Sequence, residues 1–173
     1  MQEQSLFATD TETSSTNSVF SSFIFHRDEG CLYFNKQYQR PYCWGEKEQQ
    51  SLLQTIFARE PIDSVAVVIN HDSDSEYFEV VDGRQRITTM LKFFDGEIPF
   101  ITESGAKVYF NDLPKFDQLE FKKLTLPTVE LKSRDGSPVS LVSKLRFFYR
   151  KNFAGVPQSQ DHKAKIELMM GGI

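Results

Sequence analysis

Tyr77-Phe78-Glu79-Val80-Val81-Asp82-Gly83-Arg84-Gln85-Arg86 is the stretch on which the fold turns. Tyr77 to Val81 reads as a strand, rich in aromatic and β-branched residues. Ile87, Met90, Leu91 and Phe94 then recur at the spacing of one buried helix face, ending near Asp95-Gly96. Between them the chain turns through an acid, a glycine, an arginine, an amide and an arginine. Such a turn suits a phosphate. Glycine lets the backbone approach a ligand closely. A helix start offers unpaired N–H groups and a partial positive charge. Arg84 and Arg86 supply forked donors matched to phosphate oxygens. The plain alternative is a helix capped by Asp82, with two arginines on the surface.

Upstream, Val65 to Ile69 is a compact β-branched run and predicts a buried strand. The polar turn from His71 to Ser75 makes it an antiparallel hairpin with the Tyr77 strand. Glu46 to Arg59 predicts a helix through Leu52, Leu53, Ile56 and Phe57, closed by Pro61. Ser21 to Phe25 and Cys31 to Phe34 read as short strands. Residues 1–18, rich in Ser, Thr, Gln and Glu, show no apolar period and predict a flexible arm. Residues 19–173 then form one domain.

Downstream, Ile98 to Ile101 and Lys107 to Phe110 predict two strands about Ser104-Gly105, and Phe116 to Lys123 a short helix. Leu126 to Leu131 predicts a strand, with Pro127 placing it at an edge or Pro127 at its start. Val139 to Tyr149 and Ser159 to Met170 predict helices joined by a Gly/Pro loop, with Ser159 as a cap. Strands and helices alternate with hairpins among them, which predicts an α+β fold: a mixed sheet packed with helices.

Composition sets limits. The chain has 173 residues, 39% of them hydrophobic, with 16 phenylalanines, enough for a real core. A net charge of −4 argues against a nucleic-acid coat protein but permits a local basic groove. Cys31 and Cys43 lack zinc spacing, and His26, His71 and His162 lie far apart, so a histidine metal cluster is not expected. Cys43 reads as a buried structural thiol. No segment reaches the apolar length of a membrane span and no signal-like N-terminus is evident, so a cytoplasmic protein is expected.

Two further clusters carry chemistry. Gln37-Tyr38-Gln39-Arg40-Pro41-Tyr42-Cys43-Trp44 sets an arginine and two glutamines among three aromatics. Aromatic faces can stack a base and arginine can hold a phosphate; packing is the competing role for the aromatics. Arg150 to Pro157 is basic and then Gly/Pro-rich, and taken alone it reads first as a plain helix–helix connector with surface charges.

In order, a YQRPYxW box, a helix, a hairpin, a DG-x-QR turn and an R-x-N-x-x-G loop resemble the N-terminal domain of GmrSD-type modification-dependent restriction endonucleases, in the ParB/sulfiredoxin-like superfamily. The likeness runs from about Cys31 to Ser159. It implies a ParB/sulfiredoxin-like fold that binds, and in many members hydrolyses, a nucleoside triphosphate with Mg²⁺, working with DNA or with a nuclease or other defence protein, and able to self-associate. Carried over, Tyr38, Gln39, Arg40, Gly83, Arg84, Arg86, Arg150 and Asn152 would bind nucleotide, with Gly155 completing the third box. Asp82 would hold Mg²⁺, orient a water or cap the helix, and Gln85 would orient a water or hold a base edge. Departures exist. Arg84 stands where many members have a second glutamine, Asn35-Lys36 replaces an apolar-Pro pair, and Gln158 replaces a leucine. The chain ends at Ile173, before the helical domain and HNH-type nuclease of the large proteins, so a fragment or a small free-standing member is expected.

Two functions are expected on these grounds: an NTP-binding and NTP-hydrolysing regulator, or a non-enzymatic antidefence or interaction module on the same fold. A third, a metal-dependent nuclease built on Asp82, Glu79 and Glu76, is weaker. On a strand Glu76, Val80 and Asp82 share a face and Glu79 points opposite.

Overall fold

The computed structural model describes residues 10–153 and 160–171. Its centre is the predicted hairpin: β3 (Val65–Ile69) runs antiparallel to β4 (Phe78–Asp82). The other strands of this sheet are β1 (Thr11–Val19), β2 (Leu32–Tyr33) and β7 (Thr125–Ser133). The order is β1-β7-β3-β4-β2, with β7 parallel to β3, β2 parallel to β4 and β1 antiparallel to β7. A separate small ribbon pairs β5 (Phe100–Ile101) with β6 (Lys107–Val108). The helices are α1 (Phe20–Asp28), α2 (Glu46–Phe57), α3 (Arg84–Phe94), α4 (Lys115–Lys122), α5 (Leu141–Phe153) and α6 (Gln160–Gly171). The architecture is α+β, as the alternation of elements predicts.

Side chains alternate across a strand, and β3 therefore feeds two cores. Val65 and Val67 join Phe20, Phe23, Leu53, Ile87, Met90 and Phe121, which belong to the first four helices. Ala66 and Val68 join Leu145, Phe148 and Ile166 of α5 and α6, together with Tyr38. A sheet buried on both faces explains why β3 reads as an unbroken apolar run.

Three expectations are corrected. Ser21 to Phe25 is helical: Phe20 and Phe23 are fully buried three residues apart, a helix spacing rather than a strand alternation. The arm expected over residues 1–18 is strand from Thr11 onward, paired with β7 along its whole length. Its Ser and Thr side chains are nearly all exposed, so no apolar alternation announces it. Strand β7 is not an edge. Pro127 fits because the pairing with β3 starts one residue later, at Thr128, and a missing N–H costs that ladder nothing. Residues 1–9 lie outside the described residues, as do Gly155 and the Ser159 cap.

The pairing of β3 with β4 slips between Ala66 and Val67: Ala66 faces Asp82 while Val67 faces Val80. Two residues of β4 thus oppose one of β3, a bulge just before the Asp82 turn. Bulges bend a strand and re-aim its end, and this strand ends at the Asp82 turn.

Candidate functional site

A cavity of about 130 Å³ opens where β4 ends and α3 begins. Asp82, Gly83, Arg84, Gln85 and Arg86 form its floor, Gln39, Arg40 and Trp44 one side, and Phe148, Asn152 and His162 the other. Residues of all three sequence clusters therefore meet, the third through Asn152, and eight of the ten predicted site residues line one cleft.

Gly83 makes the turn possible. It is the N-cap of α3 and has φ +103°, a left-handed conformation that side chains rarely adopt. A Cβ there would also lie 2.6 Å from Val65 Cγ1. Packing against Val65, beyond any approach to a ligand, requires glycine here. Asp82 does not cap the helix, because no side chain bonds the N-terminus of α3. Its carboxylate instead lies 3.6 Å from Arg86 Nη2. The helix start thus keeps its N–H groups for a ligand.

The arginines differ. Arg86 Nη2 donates to the Ser64 carbonyl at 2.8 Å, and the group is half tied to the β3 entry. Its Nε is buried, with no partner among the described residues. Arg84 lies with its guanidinium 5.4 Å from the Phe34 ring centroid, and partial burial holds its pKa below the usual arginine value. No carboxylate among the described residues lies in ion-pair range of Arg84 or Arg40. A desolvated cation without a protein counter-ion favours an anion from outside.

Gln39 is 7% exposed. Its Nε2 donates to both Val80 and Val81 carbonyls, at 2.6 and 2.7 Å, the two residues of the bulge. Its Oε1 is buried, with no partner among the described residues. Both polar atoms of Gln85 are bonded to the aromatic loop. Its Nε2 donates to the Pro41 carbonyl at 2.9 Å, and its Oε1 accepts from the Cys43 N–H at 2.9 Å. This clamps the aromatic loop to α3, so Gln85 positions the loop.

Two predicted residues sit elsewhere. Tyr38 is fully buried in the second core, its OH donating to Glu79 at 2.7 Å. Burial first, and the Glu79 charge next, push its pKa far above the usual tyrosine value. Arg150 is exposed on α5 and does not line the cleft. Cys43 is exposed, not buried, since only its backbone is held. Glu79, weighed as a metal ligand, is fully buried behind the cleft and paired with Lys144 at 2.6 Å. Among the described residues no three His, Cys, Asp or Glu side chains group to hold a metal.

The sequence did not point to Phe148 or His162. His162 Nε2 lies 2.9 Å from the Tyr38 carbonyl, which sets α6 beside the loop. A lone histidine on a helix carries no signal of that. The Glu79–Lys144 pair did leave one: a carboxylate inside the run Phe78-Glu79-Val80-Val81 must find a cation if it is buried.

Among the described residues no helix is long and apolar enough to cross a membrane. Residues 20–169 match the family described as the GmrSD restriction endonuclease N-terminal domain. No curated protein matches the chain.

Proposed function

The chain belongs to the GmrSD restriction endonuclease N-terminal domain family, and from that membership we propose that it binds a nucleoside triphosphate in the β4–α3 cleft in the service of restricting modified DNA. One observation carries the reading. Two residues that line the cleft, Gln39 and Arg86, each hold a buried polar atom, Oε1 and Nε, with no partner among the described residues. A buried polar group left unmet costs about 1–3 kcal/mol, so a ligand offering an acceptor to Arg86 and a donor to Gln39 is favoured there. Phosphate oxygens answer the first need, and they also suit Arg40, Arg84 and the open start of α3.

Mg²⁺ fits the site only as a companion of the nucleotide. Among the described residues Asp82 is the one carboxylate lining the cleft, and nucleotide-borne Mg²⁺ is commonly held by one or two carboxylates plus phosphates and waters. Asp82 would hold it, and the ion would neutralise phosphate charge. The partner in restriction would be DNA or a nuclease domain.

Binding without turnover is the second reading, a regulatory or antidefence module. The use of both Gln85 polar atoms to hold the aromatic loop and the proximity of Asp82 to Arg86 favour it, since both side chains already have structural partners.

Thermal stabilisation by ATP, GTP and CTP with Mg²⁺, read beside phosphate release, tests both. At least one nucleotide should raise the Tm. Arg84→Ala should abolish the rise; Arg86 is a poorer control because it also holds Ser64. Phosphate release by wild type and not by Arg84→Ala would favour the enzyme, and stabilisation alone the binding module. No stabilisation of wild type by any nucleotide, with or without DNA, would overturn the site.

A further inference from the structure

We infer that the cleft holds only the phosphates, and that the nucleoside lies in a second compartment beyond Trp44 and Arg86. This rests on the nucleotide reading and sharpens it. A cavity of about 130 Å³ is too small for a whole nucleotide, since small-molecule sites span roughly 300–1,000 Å³. A neighbouring cavity of about 370 Å³ shares Trp44 and Arg86 as walls. Together the two fall within the usual range. The cavity between α2 and α4 and the one beside Asp135 have no lining residue in common with the phosphate cleft.

The second compartment has the right surfaces. Trp44 offers an aromatic face at the junction, and base–aromatic stacking tolerates any base. Leu52 and Ile62 give an apolar wall. Ser51 and Thr55, one turn apart on α2, and Lys47 add polar groups within reach of a ribose. Arg86 stands between the compartments. It is tied to the Ser64 carbonyl and lies 4.0 Å from Asp63, on the turn that closes the far side. A guanidinium so placed can meet the phosphate nearest the sugar.

Trp44 is the only tryptophan in the chain, so its emission reports on the junction alone. The full chain is titrated with inorganic tripolyphosphate and with ATP, GTP, CTP and UTP, following Trp44 fluorescence and, by calorimetry, affinity. At least one nucleotide should quench Trp44 and bind about tenfold or more tighter than tripolyphosphate, which should bind without quenching. Ser51→Phe fills the compartment from an exposed helix position. It should weaken that nucleotide about tenfold and leave tripolyphosphate within about twofold. Trp44→Phe should keep the affinity and Trp44→Ala lose it, which decides the matter if Ser51→Phe folds poorly. Equal affinities for nucleotide and tripolyphosphate, or nucleotide binding indifferent to Ser51→Phe and Trp44→Ala alike, would overturn the second compartment and leave the phosphate site standing. Binding of neither ligand would overturn the nucleotide reading and this inference with it.

Discussion

The Lys144 ammonium lies 2.6 Å from the carboxylate of Glu79, a side chain with no exposure to solvent. Tyr38 donates to the other carboxylate oxygen at 2.7 Å. One buried charge thus joins β4, α5 and the aromatic loop, directly behind the cleft.

Replacing Lys144 should be costly out of proportion to its contacts. Lys144→Met leaves Glu79 buried and unpaired, which should lower unfolding free energy by about 3–5 kcal/mol. Adding Glu79→Gln removes the stranded charge and should restore much of the loss. Urea denaturation of the single and double variants measures both.

Gly83→Ala meets two obstacles, a left-handed φ of +103° and Val65 Cγ1 at 2.6 Å. Strain of this kind costs about 1–3 kcal/mol before the clash is counted. The denaturation midpoint should fall sharply. Val65→Ala alone measures the cavity cost at this fully buried position, and the Gly83→Ala/Val65→Ala pair should lose less stability than the sum of the two single variants, because the Cγ1 clash is gone.

Gln85→Leu removes both clamps on the aromatic loop, at Pro41 and at Cys43. The Cys43 N–H loses its acceptor and should exchange with solvent faster, while amides of β3 keep their protection. Stability should drop by about 1–3 kcal/mol. Because Arg40 and Trp44 ride on this loop, nucleotide affinity should fall with it. Hydrogen exchange and calorimetry test the two effects separately.

The Asp135 carboxyl is held at about 2, below its usual 3.8, chiefly by the Ser137 hydroxyl, then by the Ser137 N–H and the Ser133 hydroxyl. A folded-state pKa below the unfolded one stabilises the fold above the unfolded value. That support is lost as pH falls through the folded value. The turn carrying Asp135 should therefore loosen between about pH 4 and pH 2. Ser137→Ala should move the Asp135 titration up toward 3.8, as seen by NMR.

The elements legible in the sequence are those whose burial is periodic. Strand β3 announces itself because both its faces are covered, and α3 because Ile87, Met90 and Leu91 mark one side. Strand β1 gives no such sign: neither face is covered, and what holds it is backbone pairing to β7, to which side-chain chemistry is silent. Helix α1 misleads because Phe23, Ile24 and Phe25 are contiguous, and only the Phe20–Phe23 spacing betrays the helix. The cleft obeys the same rule. The Asp82 turn and Arg40 are local features and can be read directly. Whether Tyr38 or Gln39 faces the cleft depends on how the loop lies against β4, which no local pattern encodes. His162 arrives from across the fold.

The mixed sheet also sets an order of events during synthesis. The β3–β4 hairpin is local and can close as soon as it is made. Strand β1 pairs with β7 from Thr11 opposite Ser133 to Val19 opposite Thr125. Strand β1 therefore leaves the ribosome well before β7 and waits for it, with its backbone donors and acceptors satisfied by water until then. Its Thr-Glu-Thr-Ser-Ser-Thr-Asn-Ser composition suits that delay: a polar strand can idle in solution where an apolar one would seek a wrong partner.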